Sequence, residues 1–252
     1  AMFTAMQQDM KLRVVGDKQS VRPGFAATRL VVAKALAAET PAKMTQALRG
    51  KTVAVSAKAG SSYYNAAMLM KEHGVGLADV KIKELSFPNM AAALTTGAID
   101  AAYIIEPFLS EVVRTGVAID VSNPGDYVGS GPARINVPLV YSEKFAANRA
   151  AAEAFMVAYM KGVRVYNDAF VKNLDKEQVL EILARHAGVP IETVRASNPA
   201  GLDPNQDVNP DSFNEIQAFF VEQGLMQARV PLDNLIDPSF ARAAIAKLGR
   251  YQ

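Results

Sequence analysis

The 252-residue chain has no cysteine, which excludes disulfides, thiolate metal sites and cysteine nucleophiles among these residues. Histidine is nearly absent too. Its two occurrences, His73 and His186, fall on separate expected helices near their C-terminal ends, where a partly charged imidazole suits the helix dipole. Neither has a second histidine or a carboxylate at ligand spacing, so no metal site, no histidine catalysis and no cofactor is expected. There is no run of lysine or arginine: 27 basic residues are scattered among 25 acidic ones, and nucleic-acid binding has no electrostatic footprint. No window approaches the roughly 20 apolar residues of a membrane span. No charged-then-apolar leader opens the chain, so a secretory signal is expected to have been removed ahead of residue 1 or never to have existed. Lack of cysteine suits a periplasmic protein and a cytosolic one equally.

With 50% hydrophobic and 21% charged residues, the composition is that of an ordinary globular protein able to bury one large core or two modest ones. Between Leu48 and Phe108 the pattern reads strand, glycine-serine loop, helix, strand, loop, helix, strand. TVAVSA, VKIKEL and IDAAYII are buried strands, and VAIDV closes the set. Strands alternating with helices predict a parallel sheet with right-handed crossovers. In such a sheet ligands sit at the carboxyl ends of the strands, and there Ser56, Ser61, Ser62, Tyr63, Phe87, Asn89, Glu106 and Phe108 gather.

Ser61 or Ser62 stands where a helix N-cap belongs, Gly74 where a helix stops, and Pro107 at a first helical position. Upstream, LRVVG (12–16) predicts a short buried strand, Asp17 to Gly24 a polar loop, and Thr28 to Leu36 a second strand. Gly125 to Gly131 predicts a turn-rich crossing and Ala133 to Tyr141 an extended stretch. Helices are then expected over Ser142 to Phe170, Asp175 to Ala187, Asn209 to Leu225 and Asp237 to Leu248.

Three segments in this order, LRGKTVAV, ALTTGAIDAAYIIEPF and VEQGLMQARVPLDNLIDPSFARAAIAKLG, resemble the nitrate/sulfonate/taurine branch of ABC-transporter solute-binding proteins, which includes binders of thiamine-pyrimidine precursors. The resemblance implies an α/β protein with the type II periplasmic-binding fold, two lobes joined by crossover strands carried by Thr28 to Leu36 and Ala133 to Tyr141. Transferred to this chain, residues 1–49 and 133–252 form the first lobe, 50–123 the second and 124–132 a crossing segment. Family members begin with two further βα units, so roughly sixty residues of the first lobe are expected to be missing here.

The resemblance also implies a monomeric, periplasmic, non-enzymatic function: capture of a small organic or inorganic anion (a sulfonate, a nitrate-like ion, or an aromatic or pyrimidine-type compound) as two lobes close on it, and delivery to an inner-membrane ABC permease. The loop bearing Ser56, Gly60, Ser61, Ser62 and Tyr63 would present amides and hydroxyls to an anion, or its serines would only cap the helix. Glu106 would accept from a ligand amine or hydroxyl, or pair with an arginine. Tyr63, Tyr64, Phe87, Tyr103 and Phe108 would stack on a flat ligand, or pack in the core. Gln19, Ser20 and Arg22 would be the first-lobe contacts, against a solvated turn. A ligand-sensing domain of the same fold is one alternative. An enzyme of the thiamine-pyrimidine synthase type is another, disfavoured because such enzymes use a cysteine-rich motif.

Overall fold

The TVAV strand is flanked on both sides by parallel neighbours, and this triplet is the frame on which the candidate site is built. The structure, a computed structural model, describes residues 2–22, 24–121 and 134–252. The expected crossing at 124–132 lies outside the described residues. Two compact units divide the chain: unit 1 comprises residues 1–21, 132–195 and 200–252, and unit 2 comprises 22–131 and 196–199.

In chain order, unit 1 opens with α1 (Met2–Gln7) and β1 (Leu12–Val21). Unit 2 then supplies β2 (Thr28–Ala33), α2 (Pro41–Gln46), β3 (Thr52–Val55), α3 (Ser61–Glu72), β4 (Lys81–Glu84), α4 (Phe87–Thr95), β5 (Ala101–Ile105), α5 (Phe108–Arg114) and β6 (Ala118–Asp120). Unit 1 resumes with β7 (Arg134–Ser142), α6 (Glu143–Ala147), α7 (Arg149–Val171), α8 (Lys176–Ala187), α9 (Ile191–Ala196), α10 (Pro210–Glu222), α11 (Leu232–Leu235) and α12 (Ser239–Leu248). No helix of the described residues is long and apolar enough to cross a membrane.

The sheet of unit 2 runs β4-β3-β5-β2-β6. β3 is parallel to β4 and β5, as the alternating pattern predicts. β2, however, runs antiparallel between β5 and β6, with Thr28 opposite Ile105 and Val31 opposite Asp120. The sheet is therefore mixed rather than parallel. The expected lobe boundary at residue 50 moves to Arg22 for the same reason: β2 is inside this sheet, and its backbone donors and acceptors are satisfied there.

Strand alternation puts Val31, Ala54, Ala102 and Ile104 on one face, where they pack with Met90 and Leu94 of α4 and Leu109 and Val112 of α5. Each fully buried Ile, Leu or Met contributes about 1.5 to 3 kcal/mol. α3 contributes nothing to that cluster and packs on β3 and β5 from the other face, burying Tyr63, Tyr64, Ala66, Ala67, Leu69 and Met70. β4 is an edge strand with Lys81 and Lys83 exposed, a charge pattern that discourages pairing with another chain.

In unit 1, β1 and β7 form an antiparallel ribbon with irregular register near Gly16, Asp17 and Gln19. Val15, Tyr141, Met156, Met160 and Phe240 form its core. The single helix expected over Ser142 to Phe170 is two helices, because Asn148 leaves the helical region (φ −80°, ψ 73°) and its side chain caps α7 by accepting from Ala151 N–H.

Candidate functional site

Because β4, β3 and β5 are adjacent and parallel, the loops that follow them emerge at one edge of unit 2. After β3 come Ser56 to Gly60 and the start of α3. After β4 come Leu85 and Ser86 and the start of α4. After β5 come Glu106 and Pro107 and the start of α5. Of the expected site residues, Ser56, Gly60, Ser61, Ser62, Tyr63, Phe87, Asn89, Glu106 and Phe108 belong to these three connections.

The β3–α3 loop is held from inside. Gly60, not a serine, is the N-cap of α3, and it offers no side chain to the first turn. Ser61 and Ser62 are the first two helical residues, whose amides have no acceptor within the helix by geometry. The Ser62 hydroxyl is buried and turned back on the loop, 2.7 Å from the Ser56 hydroxyl and 3.1 Å from the Ser56 N–H that donates to it. The Lys58 N–H donates to the carboxylate of Glu84 at the end of β4, so a neighbouring strand braces the same loop. Tyr63 is buried, and that burial raises its phenol above the ordinary value.

After β5, both oxygens of the Glu106 carboxylate are engaged by the protein. Its Oε2 accepts from Ser110 N–H at 3.1 Å. Its Oε1 accepts from Asn198 N–H at 2.9 Å and Asn198 Nδ2 at 2.6 Å, and lies 3.0 Å from the Ser110 hydroxyl. The arginine partner considered for Glu106 is thus replaced by Asn198. Arg29 is instead one step removed: its Nη2 donates to Asn198 Oδ1 at 3.1 Å and its Nη1 to Asp120 at 2.6 Å. Pro107 is the N-cap of α5 rather than its first residue.

Phe87 and Phe108 open α4 and α5, half-buried against the core beneath them. Asn89 is exposed in the first turn of α4. Tyr103 is 1% exposed, a core residue of β5 whose hydroxyl is 3.1 Å from Thr28 Oγ1.

The expected loop at Asp17 to Arg22 is not a loop. Residues 17–21 are strand, and β7 supplies the partners that make it one. Gln19 pairs with Val137, and the Ser20 hydroxyl donates to Asp17 at 2.6 Å inside the unit 1 core. Arg22 begins unit 2, bonded through its backbone to Phe25. Polar content misled here: Asp17 is buried, accepting also from Asp203 N–H at 2.9 Å, and such paired groups read like a solvated turn.

Arg29, Asp120 and Asn198 were not anticipated at the site, since Arg29 sits in an apolar strand pattern and Asn198 lies far along the chain. The one local signal was Asn198-Pro199, because a residue before proline is held extended. Among the described residues no group of His, Cys, Asp or Glu is arranged to hold a metal ion.

The family model described as NMT1/THI5 like matches residues 27–168, more than half of the chain. The chain belongs to the NMT1/THI5-like family. No curated protein matches it. Among solved structures, it resembles the alkanesulfonate-binding protein SsuA from Xanthomonas axonopodis pv. citri at 21% identity and TM-score 0.70, over 94% of this chain and 77% of that one. It resembles the periplasmic nitrate-binding protein NrtA from Synechocystis PCC 6803 at 15% identity and TM-score 0.71, over 98% and 71%. It also resembles the desulfurization enzyme DSZB at 19% identity and TM-score 0.65, over 97% and 83%. This NMT1/THI5-like chain therefore has the α/β fold of periplasmic binding proteins, a fold that an enzyme also uses.

Proposed function

We propose that this protein is the periplasmic solute-binding component of an ABC importer, which captures a small organic or inorganic anion and hands it to a membrane permease. The observation that carries this reading is the imbalance of donors and acceptors at the carboxyl edge of β4, β3 and β5. The donors are the Ser61 hydroxyl, the amides of Ser61 and Ser62 at the start of α3 and the Asn89 side chain, with the Lys58 ammonium on the same loop. The two carboxylates there, Glu84 and Glu106, are engaged by the protein's own donors. Such an edge favours negative charge, and the positive end of the α3 dipole adds to it.

A sulfonate, a nitrate-like ion or an anionic aromatic or pyrimidine compound fits this chemistry, and the likeness to sulfonate- and nitrate-binding proteins supports the first two. Phe87 and Phe108, half-buried at the starts of α4 and α5, are aromatic residues at the same edge, and they favour a ligand with an apolar portion. The likeness to DSZB supports a second reading, an enzyme acting on an organosulfur anion. These 252 residues themselves supply no thiolate.

Isothermal titration of the full chain with methanesulfonate, taurine, nitrate and an aminopyrimidine carboxylate tests the proposal. One anion class is expected to bind at 1:1 stoichiometry and to bind more weakly to Ser61→Ala. Failure of all four to bind would overturn it, and sulfite release from an aryl sulfinate would favour the enzyme.

A further inference from the structure

Residues 196–199 are covalently an excursion. The chain leaves unit 1 after Arg195, spends four residues in unit 2, and returns to unit 1 at Ala200. Ala196 ends α9 and residues 197–199 have no helix or strand of their own, so the strap is held by what it bonds to, and its anchor is Asn198. Proline at 199 keeps Asn198 extended, which frees both its backbone N–H and its side chain to face one partner. That partner is Glu106, which takes both donors on a single oxygen, at 2.9 and 2.6 Å. The amide oxygen of Asn198 then accepts from Arg29, itself 9% exposed and fixed by Asp120 and by the carbonyl of Ala26 at 3.3 Å. The Ser110 hydroxyl lies 3.0 Å from the carbonyl oxygen of Ala196, a second tie from α5 to the strap.

Glu106 is also the residue that turns the chain from β5 into α5, and its other oxygen holds the first turn of α5 through Ser110 N–H. One carboxylate thus joins the strap to the β5–α5 turn. We propose that Asn198 is a positioning residue of the anion site: by clamping the Glu106 carboxylate it fixes the β5–α5 turn and the Phe108 ring in the arrangement a ligand meets. This rests on the anion-binding reading above for the ligand's class, but the clamp itself is defined without a ligand.

Asn198→Asp separates the clamp from simple packing. It preserves size and the acceptor for Arg29, but sets a carboxylate against Glu106 where an amide donor stood. Hydrogen exchange of the ligand-free full chain is expected to show the amides of Ser110 and residue 198 exchanging roughly 10- to 100-fold faster, while amides of the β3–β5 ladder keep their protection. Unchanged protection at Ser110 would overturn the clamp. If the variant unfolds instead, the unmodified protein still decides: one clamp requires the Ser110 and Asn198 amides to open together, with equal protection and equal denaturant dependence, and independent opening would overturn it. Binding is read separately with methanesulfonate, taurine and nitrate. A tenfold or greater loss of affinity in Asn198→Asp, with intact ladder protection, supports the positioning role, and wild-type affinity with a broken clamp overturns it. Absence of binding by the unmodified protein removes the anion-site reading, and exchange still decides the clamp.

Discussion

Ser56 and Ser62 are tied to each other twice, hydroxyl to hydroxyl at 2.7 Å and backbone N–H to hydroxyl at 3.1 Å, so that the loop after β3 closes on its own helix. Ser62 therefore shapes the loop, while its neighbour Ser61, half-buried at the first helical position, has a different task.

Substituting the two serines singly separates these tasks. Ser62→Ala is expected to cost about 1 kcal/mol of stability from the lost buried hydrogen bonds. Ser61→Ala is expected to stay within about 0.5 kcal/mol of the parent and to weaken anion binding. Urea denaturation and calorimetry together read both effects.

Gly16 carries a second prediction. A Cβ at this position would lie 2.3 Å from Gln206 Oε1, the atom that accepts from Asp17 N–H at 2.9 Å. Gln206 is 1% exposed and cannot retreat into solvent. Gly16→Ala is expected to destabilise by about 1 to 3 kcal/mol, the range for a buried polar group losing its partner, seen as a lower denaturation midpoint with an unchanged denaturant slope.

Arg29 and Asp120 form an ion pair at 2.6 Å with side chains only 11% and 21% exposed. Removing one partner strands the other, so Arg29→Met is expected to cost roughly 3 kcal/mol. The double variant with Asp120→Leu should recover part of that loss. A double-mutant cycle measures the coupling, and simple additivity would contradict it.

Alkaline stability tests the unit 1 core. Burial pushes the Tyr141 phenol up to about 12 from its ordinary 10.0, so the folded state favours the neutral form. Its contribution is complete below pH 10 and is lost as pH rises toward 12. Tyr141→Phe is expected to flatten part of this alkaline decline. At neutral pH it costs about 1 kcal/mol, because the hydroxyl donates to Ala152 O at 3.0 Å. Burial also raises Tyr159 and Tyr166, so some slope remains.

The elements around the candidate site were legible because their signals are local. TVAV and AAYII are short apolar runs, and the alternation of strands with helices predicts the parallel pairing that β3 makes with β4 and β5. What pairs with what over long distances was not legible. TRLVVA reads as a buried strand in either unit, and only its partners β5 and β6 decide that it lies in unit 2. DKQSV reads as a loop by composition, yet it becomes strand because β7 completes its ladder and Asp203 and Gln206 satisfy Asp17. Glu106 reads as an acceptor for a ligand or a partner for an arginine, and its carboxylate accepts instead from Ser110 and Asn198. That the partner is an asparagine on a distant strap has no local sequence signature.

The placement of β2 bears on how the chain is made. On a ribosome the residues Thr28–Ala33 emerge well before Ala101–Ile105 and Ala118–Asp120, the only strands on either side of it. A strand that is buried over Thr28 to Val32 in the folded sheet must therefore wait, both edges open, while most of its sheet is still being synthesised, and non-local closure of this kind is slow. During translation this short segment, like β1 awaiting β7, is a point where the nascent chain needs shielding from its neighbours.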